Sequence, residues 1–230
     1  MFRAVIFALP VVALSFQPPA PSQPQADLVK LEPGETPVPG ECLTRQELDL
    51  IRRLQELKRP TIGQENNGEG DAQPPFNPHY LVGTWNIEGP VPESPFGSAG
   101  DMTGVETVRR INACEYEGVM QAKGPDGAFT VKSTIIYDRK AKSMVRLEQD
   151  SRGFQLRKTG QVGGDAGGYF THFWEVPEFT YKGQTIRLKG TTFFASPSNY
   201  RLRMQLSVNT QPYVNLGAVW WRREESVSPR

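Results

Sequence analysis

A chain of 230 residues with 26 Lys and Arg against 25 Asp and Glu has room for one sizeable domain plus extensions. Its formal net charge of +1 excludes a binder of nucleic acid or of an anionic membrane surface that works by electrostatics alone. No apolar stretch approaches the roughly 20 residues of a spanning helix, and 22 Gly with 20 Pro forecast many turns and linkers.

The chain begins Met1-Phe2-Arg3 and continues with the apolar run Ala4 to Phe16, AVIFALPVVALSF. One positive charge followed by such a run predicts a secretion signal over residues 1–26, with Ala20 and Ala26 as candidate cleavage ends. As a helix the run would reach only about 20 Å, too short to span, and Pro10 suits a signal better than a core helix. The mature chain is therefore expected to be exported, to periplasm or medium, with no transmembrane span. The proline-dense QPPAPSQPQA and EPGETPVPG cannot form a packed element, so residues 27–41 read as an extended linker.

Residues 42–60 predict an amphipathic helix. Thr44 with Glu47 makes a capping box, and Leu43 with Leu48 a hydrophobic staple. Leu50, Ile51, Leu54 and Leu57 share one face, and Pro60 ends it. A helix this short is marginal alone in water, so it docks on its own domain or offers residues 43–59 to a protein partner. Residues 61–78, TIGQENNGEGDAQPPFNP, read as a second, polar linker; the calcium-loop spacing is absent.

From His79 to about residue 225 short alternating runs recur, separated by turn chemistry. Tyr200, Leu202, Met204, Leu206 and Val208 point one way, with Arg201, Arg203 and Gln205 the other. Phe129, Val131, Ile135 and Tyr137 alternate likewise. Turns are expected at KGPDG, DRKAK, DSRG, YKGQ and ASPSN, leaving residues 226–230 as a tail. About ten strands joined by hairpin-length connections must pair antiparallel. Closure into an up-and-down barrel removes the two edges that an open sheet would expose. The predicted fold is therefore all-β, a barrel of about ten strands preceded by one short helix.

Closure explains Gly83-Thr84-Trp85 at the start of the first strand. An arginine from the end of the last strand, Arg222 or Arg223, laid over Trp85 would plug the floor by cation–π contact, and Gly83 would let the backbone approach. Gly-x-Trp on the first strand with an arginine ending the last is similar to the lipocalin and calycin barrels. LVGTW, GVETVRRI, Tyr137-Asp138 followed by SMVRLEQDS, and the Trp-Arg-Arg terminus resemble the bacterial domain of unknown function 1579. The chain departs from that pattern at Asn112-Ala113-Cys114 and at Ile136. The resemblance implies a small barrel with a cavity and brings no reaction with it.

Catalytic signatures were sought among the remaining residues. There is no G-x-S-x-G or S-x-x-K, no zinc spacing, and no histidine between Tyr200 and Arg223 to serve a haem. His172 reads as a satisfied or exposed strand residue. The glycine-rich GQVGGDAGGYF, from Gly160 to Phe170, reads as a loop near the barrel mouth, with a lid as the sharper alternative. The acids Glu106, Glu115, Glu117, Glu148 and Asp150 are expected on exposed strand faces. Arg109, Arg146, Arg201 and Arg203 are also expected to face solvent, the alternative being an arginine that holds a carboxylate in a cavity. Cys42 and Cys114 are an even pair in an exported chain, and a disulfide between them would staple the helix to the barrel. Closing a loop of about 70 residues is worth about 4 kcal/mol in the chain-entropy model.

Two functions compete. The first is non-enzymatic carriage of a small apolar or amphipathic ligand, without cofactor or metal. Its cavity wall would be Phe129, Val131, Ile135, Tyr137, Phe173, Tyr200, Leu202, Met204 and Leu206. The second is an interaction module whose interior is filled by Phe173, Trp174, Phe193, Phe194, Trp220 and Trp221, acting through its helix or outer face. An enzyme comes third.

Overall fold

The computed structural model describes residues 31–57, 73–164 and 169–224. The signal expected over residues 1–26, most of the second linker, Pro60 and the tail lie outside the described residues. One helix, α1 (Arg45–Leu57), precedes a 3₁₀ turn (Pro78–Leu81) and ten strands. These are β1 (Gly83–Val91), β2 (Gly100–Asn112), β3 (Glu115–Gly124), β4 (Gly127–Asp138) and β5 (Ser143–Asp150). They continue with β6 (Phe154–Gly164), β7 (Phe170–Tyr181), β8 (Gln184–Ser196), β9 (Asn199–Val208) and β10 (Val214–Arg223). Every neighbour pairs antiparallel, and β1 pairs with both β2 and β10, so the sheet closes into a ten-stranded barrel. All five expected turns fall between strands.

The capping box is formed: the Thr44 N–H donates to Glu47 Oε2 at 2.9 Å and the Glu47 N–H to Thr44 Oγ1 at 3.3 Å, which satisfies two end donors of α1. Two ties hold this segment to the barrel. Cys42 and Cys114 are joined by a disulfide with their Cα atoms 4.8 Å apart. Arg139, on the β4–β5 turn, reaches Glu35 at 2.6 Å and Glu47 at 3.2 Å.

The same end of the barrel is closed from within. Trp85 pairs in register with Arg223, whose guanidinium carbon lies 4.2 Å from the Trp85 ring centroid. Arg223 also donates to the carbonyls of Tyr80, Val82 and Pro197 at 2.6, 2.6 and 3.0 Å. The indole N–H has a local partner, the Leu81 carbonyl four residues upstream at 2.9 Å. Gly83 has φ +137°, and a Cβ there would collide with Arg223 Nη1, so both backbone and space require glycine. Arg222, the other candidate for closure, points outward to Glu88; adjacent strand residues cannot both face inward.

The reading of residues up to Pro78 as a solvated connector is corrected. Phe76 is 4% exposed and sits in the barrel floor, its ring centroid 5.1–5.5 Å from Phe194, Phe170 and Tyr137. One aromatic anchor in a polar stretch leaves no periodic signature, yet its burial alone stabilises by about 2 kcal/mol. The place given to the glycine-rich loop is corrected too. Residues 165–168 lie outside the described residues, but Gly164 and Phe170, which flank them, pair with each other at the closed end. Phe170 there packs on Phe76.

Candidate functional site

Away from that floor the interior is not filled. A cavity of about 530 Å³ runs from mid-barrel to the end formed by the β1–β2, β3–β4, β5–β6 and β7–β8 connections. Of the nine wall residues expected, Phe129, Val131, Ile135, Tyr200, Leu202 and Met204 line it. Tyr137 lies below, packed on Phe76 in the floor. Leu206 is buried with Ile186, Leu188 and Leu216 in a side cluster. Phe173 is the error: it is 58% exposed and stands outside the barrel. Its neighbours His172 and Trp174 line the cavity instead.

Strand parity also dismantles the filled interior. Phe173-Trp174, Phe193-Phe194 and Trp220-Trp221 are consecutive pairs, and successive strand residues face opposite sides. Trp174, Phe194 and Trp221 are buried and line the cavity. Arg201 lies over the Phe193 and Trp220 rings on the outer face. Half of the aromatic volume is therefore outside, and space is left within.

Across the barrel at mid-depth runs a belt of charge that contradicts the expectation of exposed acids and arginines. Glu106 on β2 is 0% exposed. It accepts hydrogen bonds from Arg146 Nη2 on β5, Trp221 Nε1 on β10 at 2.8 Å and the Tyr200 hydroxyl on β9 at 3.3 Å. Arg146 Nε lies 2.8 Å from Glu148 Oε1, within ion-pair range but out of line for a hydrogen bond. Lys158 on β6 binds Glu148 at 2.8 Å and sits 5.0 Å over the Trp174 ring. Burial alone would push the Glu148 carboxyl up, but Lys158 and Arg146 outweigh it and hold it below the ordinary 4.5. Burial raises the Tyr200 hydroxyl and the Glu106 charge adds to the rise, so Tyr200 is a donor at neutral pH.

Arg109, Arg201 and Arg203 do face outward; Arg109 pairs with Glu117 on the neighbouring strand at 2.7 Å. His172 is buried rather than exposed, at 2%, and its Nε2 has no hydrogen-bond partner. Burial lowers its pKa to about 4, so the ring is neutral near pH 7. Among the described residues no group of three or more His, Cys, Asp and Glu could hold a metal ion.

The mouth is built from aromatics and one loop. Phe96, on the β1–β2 connection, stacks on Tyr181 at 5.6 Å and tilts against Phe154 at 5.0 Å. Arg152 lies 3.9 Å over Phe129 and pairs with Asp150 at 2.6 Å. Ser98 fastens the loop: its N–H and hydroxyl donate to the two Asp126 carboxylate oxygens at 2.7 and 2.6 Å. Those bonds hold the Asp126 carboxyl below its ordinary 3.8.

The fold is a lipocalin-like barrel. Among solved structures, Rv2717c from M. tuberculosis is similar over 64% of this chain and 94% of its own, with a TM-score of 0.53 and 12% identity. An S-type phycobiliprotein lyase, CPES, from Guillardia theta aligns over 64% of this chain and 90% of its own, with a TM-score of 0.41 and 9% identity. No protein-family model matches the chain, and no curated protein matches it in sequence.

Proposed function

We propose that the barrel binds and carries a small apolar or amphipathic molecule. The observation that carries this reading is the cavity of about 530 Å³, mostly apolar in its lining, closed at one end by Trp85 and Arg223 and opening at the other under Phe96. Volumes of about 300–1,000 Å³ with a few convergent polar groups are the ordinary dimensions of small-molecule sites. Phe129, Val131, Ile135, Tyr200, Leu202 and Met204 are proposed as contact residues, Tyr137 and Leu206 as their support. In this reading α1 braces the closed end, because Cys42 and Glu47 tie it to the barrel. The chain is taken as exported, on the strength of the apolar run of residues 4–16 and the disulfide. Kinship with the domain of unknown function 1579 belongs to the same proposal and rests on the four sequence motifs.

Native mass spectrometry of protein exported through its own signal and purified without detergent tests it. A discrete extra mass, lost on denaturation, is expected, together with cleavage near residue 20 or 26. A clean apo mass that persists after incubation with a lipid and metabolite extract would refute carriage.

A further inference from the structure

The charge of the ligand can be read from the belt, and this inference rests on the carrier reading. We propose that the cavity selects an uncharged amphipathic molecule whose single polar group, a hydroxyl or carbonyl, seats against Arg146 while its apolar remainder extends toward the mouth. The belt holds two cations, Arg146 and Lys158, and two carboxylates, Glu106 and Glu148; the sum is zero. The buried ring of His172 beside them is neutral at pH 7.

Each charge is already spent on another. Glu106 Oε1 takes Arg146, and its Oε2 takes Trp221 and Tyr200. Both oxygens of Glu148 lie within 2.8 Å of Lys158 Nζ. A carboxylate ligand would be a third anion without a third cation. It would have to pull Arg146 or Lys158 off an existing partner or stay buried unpaired, and either is heavily penalised. An ammonium ligand meets the mirror-image problem, since no carboxylate oxygen is spare.

A neutral acceptor has a place. A guanidinium offers five donors. In Arg146, Nη2 serves Glu106 and Nε faces Glu148, while Nη1 has no partner among the described residues. The side chain keeps 17% of its surface exposed although it sits mid-barrel, and that surface faces the cavity it lines. Between belt and mouth the wall is apolar, with Met102, Met120, Val131, Leu156, Leu188 and Met204. The head group therefore enters first and the tail follows.

The test is displacement of N-phenyl-1-naphthylamine, a neutral apolar dye, by decan-1-ol, decanoate and decylammonium at neutral pH. Decan-1-ol is expected to displace it at concentrations about tenfold or more below either ion. Glu148→Gln leaves the belt with one surplus cation, and this variant is expected to shift the preference at least about tenfold toward decanoate. Decanoate that equals or beats decan-1-ol in the unaltered protein overturns the inference, whether or not the variant folds. A preference unchanged in folded Glu148→Gln overturns it as well. In both cases dye binding would still support carriage. A dye that does not bind, with no probe binding in its place by calorimetry, marks failure of the carrier reading itself.

Discussion

Acidification tests the buried ring of His172 directly. Burial sets its pKa at about 4 in the fold against 6.5 for an unperturbed imidazole. The sign follows from proton counting: between those values the unfolded chain binds a proton that the folded chain refuses, so stability falls as pH falls. The loss is absent above pH 6.5 and complete below about 4. At about 1.4 kcal/mol per pH unit across about 2.5 units, it amounts to about 3 kcal/mol. Urea unfolding followed by tryptophan fluorescence, in steps from pH 7.5 to 4.5 at fixed ionic strength, gives the slope. Burial also lowers His79 at the clamp beside Glu41 and Arg110, so the quantity to read is the difference between unaltered protein and His172→Gln. The variant is expected to be flatter through pH 6.5 to 4.5, whatever its stability at pH 7.5. Parallel curves through that window would refute a ring held neutral by burial.

The belt makes a second expectation. Arg146→Leu should cost about 3–5 kcal/mol because it strands Glu106 in the interior. Adding Glu106→Gln should recover much of that loss in the same urea assay, by coupling of neighbours. Gly83→Ala should lower stability by about 1–3 kcal/mol, through strain at φ +137° and collision with Arg223; a change within experimental error would remove the glycine from the closure. Asp126→Ala frees the Ser98 end of the mouth loop, so stopped-flow release of bound dye should quicken several-fold with little change in the unfolding midpoint. Acid should act in the same direction: the Asp126 carboxyl, held below 3.8 by Ser98, keeps the latch above that pH and loses it as pH falls below. Reducing the Cys42–Cys114 bond should cost up to about 4 kcal/mol for its loop of 72 residues.

The barrel was legible because alternation, hairpin turns and the Gly83–Trp85–Arg223 closure all point to one topology. The site was only half legible. Glu106 and Arg146 were assigned to solvent on the statistics of single charged residues. Their burial is a property of the set, since Glu106, Arg146, Glu148 and Lys158 neutralise one another across four strands that are distant in sequence. Parity held a usable signal: Glu106 shares a face with Val108, and Arg146 with Met144. The same rule would have placed Phe173 outside, opposite His172 and Trp174. Counting hairpins would have put the glycine-rich segment at the closed end, because successive connections alternate ends and this one falls where the chain enters β1. Phe76 offered no such signal, for a lone aromatic between prolines has no period to reveal its partner.

The most direct test of the central claim is titration of N-phenyl-1-naphthylamine into three proteins: unaltered, Val131→Trp and Phe173→Ala. Val131 lines the cavity and Phe173 stands outside it, so the account predicts saturable one-to-one binding that Val131→Trp weakens by about tenfold or more and Phe173→Ala leaves alone. Binding that survives Val131→Trp but is lost in Phe173→Ala would put the ligand on the outer face and contradict an internal carrier.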